Sequence, residues 1–543
     1  MESNESNISA LYVPSFITDE DGVQYPVKSV GLKAFAGNPN LVKIYFGEGI
    51  EELREQVCYH CSNLESVSLP STLRYMWNAF QECGKITTLE LPANLEYLGS
   101  SWIYSMVGLT GVINIPAKVT EINITTISSE HITGFNVAAA NPNYKSVDGC
   151  LFTKDGTTLC LVPSSADWVT EYVTPDGVTT IWANAFSTNC SLVTLTLSEG
   201  VVSAPSAIGS CTKLIQLNLP STLTTNPFQS FANMYSLSAI TVSENSQTFA
   251  AVDGVMFTKD LNTLIKYPPK KEAAYIVPST TKILGSGAFA LGRMQSLTLN
   301  EGLLAIYSDA LRSVIKVPSD STLNVLRIPN TVNFIAYSGL FEAFWSGFEV
   351  DSTHPYYSTD GSVLYNKNKT AALVYTCDTS APHDREVTLP STVEEIGLGF
   401  SHNNRPLVKL DLSQTKITVL PQYTWFSAAN DGNERTLLLP NTLTRINYNS
   451  IRIVSARTLT IPAGVTTIES AAIGLDNAEE IVFEDPGQAG SDGVKVFNLT
   501  TFNSIFWTIS PRCVVRGYKG SEDNLSPAEQ IAKQYTLLFE PLG

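Results

Sequence analysis

The chain has 543 residues, of which 43% are hydrophobic, and its formal net charge is −17 with a pI near 4.8. This apolar content is enough to bury a core, so the composition excludes a chain that is disordered throughout. The acidic balance and the lack of any basic run argue against nucleic acid or anionic lipid as a partner, because both require clustered Lys and Arg. No stretch of about 18 apolar residues occurs, so no membrane-spanning helix is predicted.

Residues 1–35 are predicted to form an N-terminal cap. Residues 8–17 carry the apolar side chains of a strand, residues 19–22 (Asp-Glu-Asp-Gly) are typical of a turn, and residues 23–30 resume as a strand. No basic segment followed by an apolar stretch marks a signal peptide at the start of this sequence, so either a cytosolic protein or the mature part of a secreted chain without its leader is expected. A cap is expected here because the end of a repeat array otherwise leaves an open strand edge.

Residues 36–483 repeat one pattern, and its clearest copy begins at Leu64. Leu64, Val67 and Leu69 form L-x-x-V-x-L, Pro70 closes the run, and an Ala-Phe pair follows. The next copy comes 22 residues later. The alternation predicts a short strand with its apolar side chains inward, and the Phe is expected to be a core residue on the opposite side of the coil. Including weaker matches, we expect roughly fifteen units, well above the three that stacking needs.

Three hairpins interrupt the repeats and resemble one another. Each consists of an apolar strand, a turn that contains Lys, and a second apolar strand. They are predicted near residues 141–163, 244–268 and 353–375, with Asp-Gly pairs that begin at Asp148, Asp253 and Asp360. One carboxylate per turn falls short of the oxygen ligands that calcium needs, so these pairs indicate turns and not metal sites.

Cys150 and Cys160 flank the turn of the first hairpin. If Gly156 has a positive φ in a three-residue loop, Cys150 is expected to face Cys160. The two residues then form either an apolar cross-strand pair, as the corresponding residues of the other hairpins would, or a disulfide. The sequence leaves both possibilities open.

Residues 484–543 are predicted to form a C-terminal cap that ends in a helix. Ser526, Pro527 and Glu529 have the spacing of a capping box with Pro in the first turn. One face of this helix is expected to consist of Ile531, Ala532, Tyr535 and Leu538.

The sequence has no catalytic constellation, and no enzymatic activity, cofactor or metal is expected. No HExxH, GxSxG, phosphate-loop or dinucleotide motif occurs. The segment CYHC at residues 58–61 is the candidate metal cluster, but no second pair of ligands follows it at the spacing of a zinc site. A single position of the repeat is occupied by Cys61, Cys83, Cys190 and Cys211. We interpret these four as structural thiols.

Three features together resemble the BspA-type leucine-rich repeat family. They are the pattern Leu/Ile-Pro-x-x-Leu/Val-x-x-Ile-x-x-x-Ala-Phe-x-x-Cys, the Asp-Gly hairpins and the period of 22–24 residues. The resemblance covers nearly the whole chain. It implies a right-handed leucine-rich-repeat solenoid of short strands and irregular or 3-10 loops, capped at both ends. It also implies a cell-surface or secreted protein of Bacteroidetes-type bacteria, and family members with an assigned role are mostly adhesins for host matrix proteins or other cells.

The strand side chains that point away from the core are predicted to form the concave face of this solenoid. They are mostly Ser, Thr and Asn, so a dedicated binding strip and an ordinary sheet surface both remain open. The candidate binding residues on this face are Lys43, Tyr45, Glu90, Gln216, Asn218, Lys409 and Asp411.

Tryptophans offer an alternative binding site. An aromatic recognition patch is considered for the four that lie in less regular stretches, namely Trp102, Trp168, Trp345 and Trp425. Trp77 and Trp182 lie next to Ala-Phe motifs and are expected in the core.

The leading hypothesis is a cell-surface or secreted, non-enzymatic protein that binds a host or cell-surface protein through its extended surface, in adhesion or another protein–protein interaction. The alternative is a glycan-capture protein of a bacterial surface system that acquires nutrients, which requires the tryptophan patch to be exposed. Under either hypothesis this chain does not insert into a membrane, and the leader for export is expected to be absent from this sequence. An enzyme is the least favoured class, because no catalytic motif occurs.

Overall fold

The computed structural model consists mainly of short β-strands. The residues that it describes are 9–99, 102–123, 131–163, 170–186, 191–209, 211–229, 233–316, 324–340, 342, 345–376, 385–402, 407–427, 433–484, 505–519 and 525–542. The chain divides into two compact units, unit 1 (residues 1–260 and 268–270) and unit 2 (residues 261–267 and 271–543).

Unit 1 contains strands β1 to β22. In chain order they are β1 (Ala10–Val13), β2 (Phe16–Thr18), β3 (Gln24–Pro26), β4 (Ser29–Val30), β5 (Lys43–Phe46), β6 (Glu52–Leu53), β7 (Ser66–Ser68), β8 (Tyr75–Met76), β9 (Tyr97–Leu98), β10 (Thr110–Ile115), β11 (Glu121–Ile122), β12 (His131–Val137), β13 (Tyr144–Val147), β14 (Cys150–Thr153), β15 (Thr158–Leu161), β16 (Glu171–Val173), β17 (Thr180–Ile181), β18 (Thr194–Thr196), β19 (Gln216–Leu219), β20 (Ala239–Val242), β21 (Phe249–Val252) and β22 (Val255–Thr258).

Unit 2 contains the remaining strands and the α-helix. The strands are β23 (Thr263–Lys266), β24 (Ala274–Ile276), β25 (Ile283–Leu284), β26 (Arg293–Met294), β27 (Ser296–Thr298), β28 (Ala305–Ile306), β29 (Ile315–Lys316), β30 (Leu326–Ile328), β31 (Phe334–Ile335), β32 (Phe348–Val350), β33 (Tyr357–Thr359), β34 (Val363–Asn366), β35 (Ala371–Tyr375), β36 (Arg385–Thr388), β37 (Glu395–Ile396), β38 (Ser401–His402), β39 (Leu407–Asp411), β40 (Val419–Leu420), β41 (Trp425–Ser427), β42 (Thr436–Leu438), β43 (Arg445–Ile446), β44 (Ile451–Ile453), β45 (Thr458–Ile461), β46 (Thr467–Ile468), β47 (Ile473–Leu475), β48 (Glu480–Phe483), β49 (Phe506–Ile509), β50 (Val514–Gly517) and β51 (Leu538–Pro541). The α-helix is α1 (Pro527–Gln534), and a short 3-10 helix spans Pro269–Lys271.

Successive coils stack through parallel strand pairs, which produces the β-solenoid that the repeat predicts. Along the residues that the structure describes, the solenoid has about 19 turns, which is more than the roughly fifteen units expected from the sequence.

The coil that begins at β5 shows how the sequence forms one turn. Ile44 and Phe46 are buried, and Lys43 and Tyr45 are exposed, as the alternation predicts. β5 pairs in parallel with β7 of the next coil, and β6 pairs in the same way with β8 at a second position of the coil. We call the outward side chains of the first strand in each coil, together with the equivalent positions where no strand forms, the strand face.

The Phe of the Ala-Phe pair is a core residue, as predicted. Phe80, Phe186 and Phe289 have no exposed surface, and neither does Phe400, which follows Gly399 at the same position; Phe35 of the first coil is partly buried. Phe80 packs in a continuous apolar cluster of unit 1, and Phe400 packs in a similar cluster of unit 2. These clusters are the main source of stability in each unit, since apolar burial dominates folding.

Each of the three hairpins opens with an antiparallel strand pair joined at its Asp-Gly turn, and the first two share one turn type. β13 pairs with β14, β21 with β22, and β33 with β34. In the first two, Asp148 and Asp253 have φ values of 46° and 48°, and the glycine after each also has a positive φ. Both residues of each pair thus have the backbone of a tight two-residue turn, as the Asp-Gly signal indicates. In the third hairpin the carboxylate of Asp360 instead accepts bonds from the N–H groups of Ser362 and Val363.

The turn lysine has one role in all three hairpins. The Nζ atoms of Lys154, Lys259 and Lys367 donate to backbone carbonyls 15 residues earlier, at distances of 3.0, 3.2 and 2.8 Å. These bonds tie each hairpin to the coil that precedes it.

Cys150 does not face Cys160, so that prediction was wrong. Gly156 does have a positive φ of 83°. However, β14 and β15 pair with Leu151 opposite Leu161, and a bulge shifts the register next to this pair. The extra residue in β15 places Cys160 out of line with Cys150.

The two cysteines also have different neighbours. Cys160 belongs to the apolar core cluster of unit 1, whereas the side chain of Cys150 bonds with that of Tyr172. Both are free thiols, so the structure contains no disulfide between them.

The C-terminal helix begins as predicted. Ser526 Oγ accepts from the N–H of Glu529 at 3.2 Å, and Glu529 Oε2 accepts from the N–H of Ser526 at 2.7 Å. Ile531 and Ala532 are buried. The helix is shorter than expected, because it ends at Gln534.

Leu538 is therefore not on the helix, and this prediction was wrong. Tyr535 is the C-cap residue just after the helix, and Thr536 has a left-handed backbone with φ of 57°. Leu538 begins β51, which pairs in parallel with β50, and its side chain is exposed. Whether the two ends of the chain act as caps stays a prediction, as do the boundaries at residues 35 and 484.

Candidate functional site

The candidate residues Lys43 and Tyr45 lie on the strand face at the start of unit 1. Tyr45 lies opposite Tyr12 of β1 on one side and Ser68 of β7 on the other. Tyr12 and Tyr45 are 62% and 41% exposed, so two aromatic side chains stand next to each other on the sheet surface. Tyr12 lies in the segment predicted as the N-terminal cap and was not among the predicted binding residues. The run Leu11-Tyr12-Val13-Pro14 carries the strand-then-Pro signal that could have placed it in this register.

More apolar surface follows directly after β1. The β2–β3 hairpin places Phe16 opposite Pro26 and Ile17 opposite Tyr25. Phe16, Ile17 and Tyr25 are all exposed. The first coil of unit 1 thus carries an unusual number of solvent-exposed aromatic and aliphatic side chains, which is typical of interaction surfaces.

Gln216 and Asn218 belong to a polar network along the strand face. Gln216 Nε2 donates to Asn218 Oδ1 at 2.9 Å, and Asn218 Nδ2 donates to Thr196 Oγ1 at 2.9 Å. Thr241 Oγ1 donates to Asn218 Oδ1 at 2.6 Å. Because these bonds already occupy the amides, this part of the strand face is a self-satisfied sheet surface.

Glu90 lies on the same side of unit 1, in a stretch without an assigned strand, and its side chain is exposed. Glu90 is not part of a strand pair, so strand pairing does not bring another candidate residue next to it.

Lys409 and Asp411 of unit 2 lie next to each other on β39. Lys409 Nζ is 3.5 Å from a carboxylate oxygen of Glu386 and 4.0 Å from Asp411. Asp411 Oδ1 accepts from both the N–H and the hydroxyl of Ser413, at 3.0 and 2.6 Å. The Asp411 carboxylate thus closes the turn after β39, and its role is structural.

The tryptophan patch is not supported. Trp102, Trp345 and Trp425 are buried in the repeat cores, with at most 1% exposed. Trp168 lies outside the described residues. Trp77 and Trp182 are partly buried. In irregular repeats the sequence does not distinguish a buried Trp from an exposed one, because the strand alternation that would indicate the direction of the side chain is missing there.

One exposed tryptophan was missed. Trp507 on β49 is 48% exposed, and the guanidinium of Arg452 lies 4.9 Å from its ring centroid. Its position within an apolar run gave no signal that the side chain faces solvent.

The repeat-position cysteines act as thiol donors between coils. The Sγ atoms of Cys61, Cys83 and Cys211 donate to the carbonyls of Phe35, Cys58 and Phe186, at 3.1, 3.0 and 2.7 Å. This confirms their structural role, and Cys190 lies outside the described residues.

Both thiols of the CYHC segment have an altered acidity, and the hydrogen bond to Cys61, together with burial, raises the pKa of Cys58. A hydrogen bond from Cys58 lowers the pKa of Cys61 to about 7, and burial raises the pKa of neighbouring Cys83 to about 12. Within the described ranges, no group of three or more His, Cys, Asp or Glu side chains is arranged to hold a metal ion. None of the described helices is long and apolar enough to cross a membrane.

Comparison with curated proteins returned no match. Among solved structures, a leucine-rich repeat protein from Eubacterium ventriosum is 17% identical over 62% of this chain and 83% of its own, with a TM-score of 0.43. One from Bacteroides ovatus is 13% identical over 80% of this chain and 95% of its own, with a TM-score of 0.29. A leucine rich cell surface protein from Faecalibacterium prausnitzii is 17% identical over 95% of this chain and 89% of its own, with a TM-score of 0.26.

The repeats themselves match a family model. The model of the BspA type leucine rich repeat region matches in six copies, over residues 22–139, 166–257 and 383–480, which together are more than half of the chain. The period, the Ala-Phe core position and the parallel stacking agree with this match. The chain therefore belongs to the BspA-type leucine-rich repeat family.

Proposed function

We propose that this chain is a non-enzymatic module that binds another protein outside the cell, in adhesion or a related contact. The observation that carries the proposal is the pair Tyr12 and Tyr45, two exposed aromatic side chains on adjacent strands next to Lys43. Binding energy at protein interfaces concentrates in Tyr, Trp and Arg side chains. In the rest of the strand face, the Gln and Asn side chains are hydrogen-bonded to one another, so this surface is expected to surround the anchor and to contribute little binding energy.

Family membership supports the class of function. Leucine-rich repeats present a long, regular surface, which suits a macromolecular partner better than a small metabolite. The location outside the cell is part of the proposal and follows from what the family resemblance implies. Protease treatment of intact cells that express the native gene would test it, because a surface protein is cleaved while an internal one is protected.

The binding test is an array of extracellular-matrix proteins and glycans, probed with the purified chain at physiological salt. We expect a protein on the array to bind, and the double variant Y12A/Y45A to weaken that affinity by about 30-fold or more, since two hot-spot side chains are lost. The matched control is Y235A, which removes an exposed Tyr from a turn between the strands.

Two outcomes would contradict the proposal. If no protein on the array is retained at micromolar concentration, protein binding loses its main support. If Y12A/Y45A binds as well as Y235A does, the anchor lies elsewhere. Glycan capture is tested on the same array, although the burial of three of its four tryptophans removes its original basis.

A further inference from the structure

A cleft of about 390 Å³ opens in unit 2. It lies where the strands at the second position of successive coils stop pairing with each other. β31 pairs with β28, and β37 pairs with β35 of the third hairpin, but within the described part of unit 2 no pairing joins β31 to β35. Phe334 and Ile335 line one wall, and Ala371, Leu373 and Glu395 line the other. The volume lies within the range of ligand pockets.

The cleft presents aromatic rings to solvent. Phe334 and Tyr337 in its wall, and Tyr307 beside Phe334, are 45%, 51% and 42% exposed. The ring centroids of Tyr307 and Phe334 are 5.6 Å apart and their planes are tilted by 60°, so the two rings form a corner. Exposed aromatic groups of this kind mark interaction sites more often than isolated apolar residues do.

A carboxylate is held beside these rings. Tyr337 Oη donates to Glu395 Oε2 at 2.6 Å, which fixes the carboxylate next to the Tyr337 ring. This hydrogen bond raises the pKa of Tyr337 to about 12, so the phenol keeps its proton and remains a donor. The neighbouring Glu394 has Lys416 at 3.5 Å, whereas no described Lys or Arg forms an ion pair with Glu395.

We propose that this cleft binds a Lys or Arg side chain of a partner protein, with the cation over the rings of Phe334 and Tyr337 and its charge paired with Glu395. A cation is the ligand that uses both features, because the ring faces and the carboxylate each attract positive charge. A neutral sugar would use the ring faces but gain no charge pairing from the carboxylate. The net charge of −17 also favours a basic partner surface.

This proposal rests on the proposed function in one respect only, namely that the bound cation is a side chain of a partner protein. The test uses small probes on the full chain, so it is independent of the array. Nα-acetyl-arginine amide and Nα-acetyl-lysine amide are titrated by ligand-observed NMR. Nα-acetyl-citrulline amide is the matched probe, since it has the shape of arginine without its charge, and maltotriose and cellotriose represent neutral glycans.

We expect the arginine probe to bind at least about fivefold more tightly than the citrulline probe. E395Q and F334A should each weaken arginine binding by about tenfold. E386Q removes an exposed carboxylate from the strand face of the same unit and should leave it unchanged. Y337F keeps the ring and loses the bond to Glu395, so a smaller loss is expected. Thermal melting checks that each variant is folded.

Equal binding of the arginine and citrulline probes would overturn the proposal, and so would an E395Q variant that binds as the parent does. Binding of the oligosaccharides without binding of the arginine probe would assign the cleft to glycans instead. If the cations bind here while no protein binds on the array, the cleft stands and the proposed function fails. If the array yields a partner while the probes do not bind, only the cleft is refuted.

Discussion

A buried histidine has the same structural role as the residues at the equivalent position of the other two hairpins. His354, Ser246 and Asn141 begin the three hairpins, and each accepts backbone N–H bonds from the residues two and three positions later. His354 has no exposed surface, and its Nε2 lies 3.0 Å from the carbonyl of Pro329. Asn141 makes the same contact to the carbonyl of Pro116, at 2.9 Å. Because Nδ1 of His354 accepts two bonds, the ring is the neutral tautomer with its proton on Nε2.

This geometry predicts a pH-dependent stability. Burial lowers the pKa of His354 below 6.5, so the unfolded chain binds the proton more readily than the folded chain does. The stability from this residue is present above pH 6.5 and is lost as the pH falls below it. We expect H354N to keep the bonds, as Asn141 does, and to reduce the loss of stability in acid.

The contrasting variant is H354L, which leaves the buried N–H groups and the Pro329 carbonyl without a partner. We expect it to lower the free energy of unfolding by about 2–4 kcal/mol at pH 7.5. Urea unfolding at pH 5 and pH 7.5 measures both effects. An acid response of H354N equal to that of the parent would show that another group causes it.

At the scale of the element, the last strand of the second hairpin carries a buried charge that its copies avoid. Lys266 on β23 corresponds to Leu161 on β15 and Val374 on β35, and all three side chains are buried. Nζ of Lys266 donates to the carbonyl of Gly287 at 3.1 Å. Burial lowers the pKa of Lys266 from 10.5 to about 8, so below pH 8 the folded state carries an unfavourable buried charge.

We therefore expect K266L to stabilise unit 2. A lowered pKa means that the unfolded chain binds more protons between pH 8 and 10.5, so the parent gains stability as the pH rises through this range. The shift corresponds to about 3 kcal/mol, from which roughly 1 kcal/mol is subtracted for the lost bond to Gly287. K266L should thus raise the free energy of unfolding by about 2 kcal/mol at pH 7 and flatten its rise between pH 8 and 10.5.

The control is K43L, which removes an exposed Lys from β5. It should change the free energy of unfolding at pH 7 by less than about 0.5 kcal/mol. It should also leave the pH dependence of stability unchanged. A K266L protein that is less stable than the parent at pH 7 would mean that Lys266 is better solvated than its burial indicates.

At the scale of the whole molecule, a solenoid is stabilised by contacts between neighbouring coils. Phe80 lies in the core of unit 1 and Phe400 in the core of unit 2, and neither has exposed surface. F80A and F400A should each lose about 3–5 kcal/mol locally. Hydrogen exchange read by mass spectrometry should show the loss of protection in the coils next to each substitution and not in the other unit.

The two variants serve as controls for each other. Loss of protection along the whole chain in both would show that the protein unfolds as one cooperative unit, contrary to this prediction. Equal protection in F80A and the parent would show that the cavity is filled by repacking of its neighbours.

The sequence by itself determined the solenoid. The spacing of Leu64, Val67 and Leu69 requires a strand, and its return after 22 residues requires stacking, because one coil cannot bury its own apolar face. The Ala-Phe position, the Asp-Gly turns of the first two hairpins and the capping box at Ser526 also followed from local chemistry. These features depend only on neighbours along the chain, which a sequence displays directly.

Tertiary structure alone decided how the residues of the proposed binding sites are arranged. Tyr12 stands opposite Tyr45, a bulge separates Cys160 from Cys150, and Phe334 shares a cleft with Glu395. Each of these depends on strand register, and a shift of one residue moves a side chain to the other face. Register between coils is set by the stacking of residues more than twenty positions apart, so the residue types of the proposed sites were visible in the sequence while their arrangement was not.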